Sequence, residues 1–289
     1  MSDQASLARL LGALAVQEGL DAPLDVRIAD RTGLARADEP GVHLLSAPAD
    51  TSVFALRRRA LEASTAEIVI VTEDHCVPGP GWVRALTQAL RADPEAVAAS
   101  GPVHDGLNGD PWDRAAFLCD YGGLLPDGST VTHRVSALPG MNTAYRRDAL
   151  VKVLRSEPHL FDDFWEAGVH RRLARDGHFV VTPAADLAHC KRFGRRLALD
   201  QRYLQARHVA GTRAADLGLV GRVGWTLAAT ALPATLIPRV FGPSLRRSGL
   251  PARRLAATLP ALLALVGAWT LGEVVGAALG PGDALVRVE

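Results

Sequence analysis

The stretch from Ala66 to Trp82, AEIVIVTEDHCVPGPGW, constrains the fold more than any other. Ile68 to Val71 is an unbroken β-branched run, the pattern of a central strand buried on both faces in a parallel sheet. Glu73, Asp74 and His75 follow at once, and Pro78, Gly79, Pro80 and Gly81 then forbid regular structure. A helical pattern opens at Trp82 and stops at Pro94. Two acids and an imidazole therefore stand at the carboxyl end of a strand, where open α/β sheets bind ligands. Carboxylate oxygen with imidazole nitrogen suits a divalent cation such as Mg or Mn. The same residues equally suit a plain polar strand end, with Asp74 capping a turn.

The surrounding chain has an α/β rhythm. Ser6–Val16 places Leu7, Leu10, Leu11 and Leu14 at helical spacing. Leu24–Ala29 alternates like a strand and runs into Asp30, Val42–Leu45 is a second strand, and Val53–Ser64 a helix carrying three consecutive arginines. Beyond the Trp82 helix, Ala96–Val103 is a further apolar run. Residues 103–132 are loop-rich with room for one helix, the kind of segment that forms a binding lid. Ser136–Leu150 couples a Pro-Gly turn to Asn142 and then a helix. Phe161–Gly177 reads as a helix stopped by Gly177, and Phe179–Pro183 as a strand.

The last part changes character. A basic segment from His189 to Arg213 leads into two apolar stretches, Val223–Pro238 and Leu255–Gly280. The second has 26 residues with one charge, Glu273, and is long enough to span a bilayer. The first is short and holds two prolines, so it reads as interfacial or re-entrant. Two buried helices of a soluble domain are the alternative. The net charge of +1 makes no case for nucleic acid, but from Gly218 onward there are seven arginines against one Asp and two Glu. Three cysteines without metal-ligand spacing read as free thiols in a reducing compartment. Nothing near Met1 has the basic-then-apolar form of a signal peptide.

This order of motifs resembles the inverting family-2 glycosyltransferases with a GT-A fold, over about Ser6 to Arg213, members of which often carry C-terminal membrane helices. The resemblance implies a GT-A-like α/β domain, a Rossmann-like mixed sheet between helices, over residues 1–212, and membrane-associated helices over 213–289. It implies that Asp30 contacts the nucleoside and that Arg57 and Asp74 belong to the nucleotide-sugar site. Gly140 and Asn142, in ALPGMNTAYRR, would line the sugar pocket. Glu73 and His75 fall on the metal-binding triplet, with His189 turned toward the metal or diphosphate. Glu166 falls on the catalytic carboxylate, with Asp162 and Asp163 one helical turn earlier and Asp163 a candidate to share the role. The chain departs from the family pattern in three ways. It begins in the helix that should follow a first strand, its triplet is Glu-Asp-His, and its catalytic pair is a single acid beside Trp165.

The implied chemistry is transfer of a sugar, with inversion, from a nucleoside-diphosphate donor to a lipid-linked or polysaccharide acceptor at the cytoplasmic face of the cell membrane. A divalent cation, Mn or Mg, would act as Lewis acid on the diphosphate, and a partly desolvated Glu166 as general base. A non-catalytic nucleotide- or partner-binding module at the membrane is the alternative, and a nucleotidyltransferase a third. Residue by residue, blander roles compete: an Asx-turn for Asp30, a surface charge for Arg57, a turn or N-cap for Asn142, a solvent-facing helix acid for Glu166. The loop RVFGPSLRRSGLPARR should face the cytoplasm, with Val223–Pro238 in the membrane plane and Glu273 near the headgroups.

Overall fold

The computed structural model describes residues 4–36, 39–107 and 109–288. The segment beside Met1, on which the signal-peptide expectation rests, falls partly on residues 1–3, outside the described residues. In chain order the elements are α1 (Gln4–Ala15), β1 (Val26–Asp30), β2 (Val42–Ser46), α2 (Val53–Ala63), β3 (Ile68–Val71), β4 (Cys76–Pro78), α3 (Trp82–Ala92), β5 (Ala96–Ser100), β6 (Val103–Asp105) and α4 (Pro111–Tyr121). They continue with β7 (His133–Val135), β8 (Thr143–Arg146), α5 (Arg147–Ser156), α6 (Val169–Leu173), β9 (His178–Val181), β10 (Leu187–His189), α7 (Gly194–Ala214), α8 (Leu219–Ala229), α9 (Leu232–Arg247), α10 (Ala252–Leu279) and α11 (Ala284–Arg287).

The chain divides into two compact units, one of Met1–Gly106 with Pro126–Cys190, the other of Leu107–Leu125 with Lys191–Glu289. The second unit therefore begins well before the boundary expected at residue 213 and also takes in α4. Helix α7 belongs to it because α7 packs along α10.

The first unit is a mixed α/β structure. A five-stranded sheet runs β3-β8-β5-β9-β7, with β5 and β9 parallel and the other pairs antiparallel. A three-stranded sheet runs β4-β10-β6, and β1 pairs with β2 in parallel. Strand β5 is buried throughout, and α3 lies over β5 and β8 with Trp82, Leu86 and Leu90 inward. The N–H donors opening α2 are met by Ser52, whose hydroxyl accepts from Ala55 N.

Three expectations are corrected here. Among the described residues β3 is an edge strand, not a central one. Its single partner is antiparallel β8, and its four residues are half-buried. Regular structure does not stop at Pro78, because Cys76–Pro78 forms β4 against β10, and β4 is an edge strand of its sheet, where a proline's missing donor is tolerated. Phe161–Gly177 is not one helix. A 3₁₀ turn covers Pro158–Asp162, turns follow, and only Val169–Leu173 is α-helical.

The second unit is helical. Asp110 caps α4 by accepting from Trp112 N and Asp113 N. The Asp113 carboxylate accepts from Phe193 N at 2.7 Å and Gly194 N at 2.9 Å, satisfying donors at the start of α7. Helices α7 and α10 approach backbone to backbone at glycines: a Cβ on Gly272 would lie 2.4 Å from Tyr203 O, and one on Gly276 would lie 2.3 Å from Arg207 O.

Candidate active site

Three segments of the first unit bring charge together beyond the end of β3. From α2, the Arg57 guanidinium donates from Nη2 to Glu73 Oε1 at 2.7 Å, and its Nη1 lies 3.5 Å from Glu166 Oε1. The Arg57 stem is placed by Phe54, whose ring centre is 5.5 Å from the guanidinium carbon. Phe54 also packs at 4.5 Å on Phe164, two residues before Glu166. Trp165, next to Glu166, is buried and donates from Nε1 to Phe161 O at 3.2 Å. So the turn presenting Glu166 is fixed by aromatic anchors on both sides of Phe164–Glu166. Burial works against the Arg57 charge, but Glu166 and Glu73 outweigh it and hold its pKa above the ordinary value.

Gly140 completes the arrangement. A Cβ at this position would stand 1.7 Å from Glu166 Oε1 and 2.7 Å from Arg57 Nη1, so only glycine admits the carboxylate and guanidinium as they stand. This assigns Gly140 a spacing role beside Glu166.

His75 sits in the bend between β3 and β4. Its Nε2 is 3.0 Å from Glu73 Oε2 and its Nδ1 is 3.1 Å from Asp74 Oδ1. The His189 ring, from β10, meets the His75 ring edge-on at 4.8 Å. Strand pairing explains this meeting, because His189 is the register partner of Cys76. Donor atoms of Glu73, His75 and Cys76 all lie within 4.8 Å of one another. This oxygen, nitrogen and sulfur set fits Zn, which takes both nitrogen and sulfur, better than the oxygen-preferring Mg or Mn. Burial, then Glu73, push the Cys76 thiol well above its ordinary pKa, so a cation there would have to displace its proton. Glu73 and His75 could hold a divalent cation, in competition with Arg57 for the same carboxylate.

Other expected residues are placed elsewhere or differently. Asn142 does not line a pocket. It is fully buried, its Oδ1 accepts from Trp82 Nε1 at 2.6 Å, and its Nδ2 donates toward Gly101 O and Pro102 O at 3.0 and 3.2 Å. That is a scaffold tie joining α3, the β5–β6 link and the start of β8. Asp30 closes its own loop, accepting from Thr32 N, Thr32 Oγ1 and Ala35 N. Burial opposes these bonds, but the bonds from Thr32 and Ala35 prevail and lower its pKa. Asp162 pairs with Arg58 at 3.1 Å, and Asp163 accepts from Phe164 N at 2.6 Å.

Two residues behind the site escaped the sequence reading. Tyr145 on β8 and His170 on α6 are buried, with the Tyr145 hydroxyl 2.6 Å from His170 Nε2. Burial, reinforced by Glu166, raises the Tyr145 pKa. Burial lowers that of His170 to about 4, against the pull of Glu166. The one available signal was helical spacing between Glu166 and His170, which does not point to Tyr145.

No family model matches the sequence, and no curated protein matches it. Among solved structures, one similar to this chain is the crystal structure of GalNAc-T7 with UDP, GalNAc and Mn2+, at 12% identity and a TM-score of 0.39, covering 52% of this chain. The chain spans about a third, 32%, of that protein's length.

Proposed function

We propose that the chain is a glycosyltransferase, transferring a sugar with inversion from a nucleoside-diphosphate donor to a lipid-linked or polysaccharide acceptor, with its donor site on the cytoplasmic face of the membrane. One observation carries the reading: Arg57 stands between two carboxylates from separate segments, Glu73 and Glu166, beside the imidazole of His75. Displacement of a nucleoside diphosphate needs fixed positive charge at the departing oxygens and a carboxylate at the attacking hydroxyl. In this site Arg57 supplies the first as two forked N–H donors, and Glu166, 36% exposed, supplies the second from an anchored turn. The acceptor hydroxyl proton passes to Glu166 as the oxygen bonds the sugar carbon. The bond from that carbon to the diphosphate oxygen breaks on the opposite face, and the nucleoside diphosphate leaves with the electron pair. A divalent cation held by Glu73 and His75 would supply Lewis-acid charge at the diphosphate.

A second reading has its own observation. Arg57 already neutralises both carboxylates, as a closed internal network in a nucleotide- or partner-binding module would. Calorimetry with nucleoside diphosphates, with and without Mn, tests the proposal. It expects binding that weakens at least tenfold in Arg57→Ala and that responds to the metal in a His75-dependent way. Binding indifferent to Arg57, His75 and Mn alike would remove the site.

A further inference from the structure

We propose that the helical unit docks in the plane of an anionic membrane surface, with the exposed apolar faces of α8 and α10 at the acyl boundary and its arginines on lipid phosphates. The inference takes the membrane location from the proposed function and adds its lipid chemistry and its geometry.

Helix α10 is long enough to cross a bilayer, but its packing opposes a crossing. Its buried face, with Leu262, Leu265, Gly272 and Gly276, lies against α7 so closely that glycines are required at the contact. Helix α7 carries Arg195, Arg196, Asp200, Arg202, Arg207 and Arg213. A crossing α10 would carry this charged partner into hydrocarbon or lose its packing face. The opposite face of α10 is apolar and open, with Leu259, Leu263 and Leu271 between 38% and 56% exposed. Helix α8 presents a second such face: Leu219, Val220, Val223 and Leu227 are 52–87% exposed at helical spacing. Helix α8 and the start of α9 are bent by 50° at their junction, so the two do not form one straight span.

Charge selects the occupant. From Leu219 to Leu279 there are six arginines and one acid, Glu273. That acid is 4% exposed, faces Trp269 Nε1 at 3.3 Å and Trp225 Nε1 at 3.4 Å, and lies 3.9 Å from Arg213. Glu273 therefore sits inside the helical unit, not near headgroups as the sequence suggested. The surface of this stretch is left with arginines alone, among them exposed Arg239, Arg246, Arg247 and Arg253. Arginine beside apolar side chains matches a phosphate layer over acyl chains.

Vesicle sedimentation of the full chain tests this. Binding should be at least tenfold stronger to phosphatidylcholine containing about one-third phosphatidylglycerol than to phosphatidylcholine alone. Alkaline carbonate should release it. Val220→Asp with Leu227→Asp should cut binding at least tenfold without changing the circular dichroism, and Arg246→Gln with Arg247→Gln should weaken it and flatten its salt dependence. Resistance to carbonate extraction would overturn the in-plane geometry in favour of a crossing. Absent binding, equal binding to both vesicles, or binding unchanged in both variant pairs would overturn the docking itself. Donor binding in solution, measured on the same preparations, stays at the wild-type value whichever way the vesicles fall, so the donor-site reading is judged separately.

Discussion

Replacing Gly140 by alanine isolates the contact on which the candidate site depends. The added Cβ would sit 1.7 Å from Glu166 Oε1, and ordinary contact begins near 3.4 Å, so the carboxylate must retreat by about 1.7 Å (3.4 minus 1.7). Glu166 can do so because it is one-third exposed, but its 3.5 Å approach to Arg57 is then lost. Overpacking of this kind costs about 1–3 kcal/mol, with the lower half expected where one partner can swing outward. A displacement of that size at a reacting group costs about a hundredfold in turnover. The assay is a double-mutant cycle by urea unfolding, with donor turnover measured alongside. Gly140→Ala should destabilise the wild type by about 1–2 kcal/mol, and part of that penalty should vanish in a Glu166→Ala background, because the clash with Glu166 Oε1 is gone while the 2.7 Å approach to Arg57 Nη1 remains. Strictly additive effects of the two substitutions would show that Gly140 and Glu166 do not compete for the same space.

Three further outcomes follow. His170 stays neutral in the fold to about pH 4, whereas the unfolded chain gains its proton near 6.5, so stability is full above about 6.5 and drains as pH falls toward 4. The loss should total about 3 kcal/mol, read by urea unfolding across that window, and a slope that persists in His170→Gln would assign it to another group. Asn142→Asp puts carboxylate oxygens against the carbonyls of Gly101 and Pro102 and should cost about 3 kcal/mol or more in thermal unfolding, with unchanged nucleotide affinity in the folded fraction; an affinity loss without destabilisation would restore it to the pocket. Gly276→Ala drives a Cβ to 2.3 Å from Arg207 O and should separate α7 from α10 at a cost of about 2 kcal/mol, whereas an unchanged melting temperature would contradict their close approach.

Much of the first unit was legible in local periodicity. The amphipathic pattern of α1, the alternation in β1, the arginine-bearing α2 and the Pro-bounded α3 all form about where the sequence puts them. The errors have physical causes. A β-branched run looks the same in a central parallel strand and in an edge strand, and only the long-range partner β8 tells them apart. Strand β8 itself is four residues between a Pro-Gly turn and a helix, too short to show a period. Phe161, Trp165, Val169 and Leu173 recur every fourth residue and all are buried, which imitates one helix face, yet only Val169–Leu173 is α-helical and the chain from Phe161 to Gly168 is the end of a 3₁₀ turn and irregular turns. Glu166 was singled out on a helix, whereas it stands in the turns before α6. Asn142 was singled out for the wrong reason, because a sequence does not show that Trp82 and the Gly101 and Pro102 carbonyls would consume its amide. In the second unit the length of α10 was plain, while its partner α7 read only as a basic segment, whose arginines masked the face that packs on α10.

In the proposed reaction Glu166 takes a proton from an acceptor while Arg57 and the Glu73–His75 pair hold the donor. Release of nucleoside diphosphate from a panel of nucleoside-diphosphate sugars, with Mn and in the presence of anionic vesicles, measures it most directly when wild type and Glu166→Gln are run together. The wild type should turn over, Glu166→Gln should fall by about a hundredfold or more, and its donor affinity should stay within about threefold of wild type. Donor binding with no turnover in either protein, or turnover that survives Glu166→Gln, would contradict that reaction.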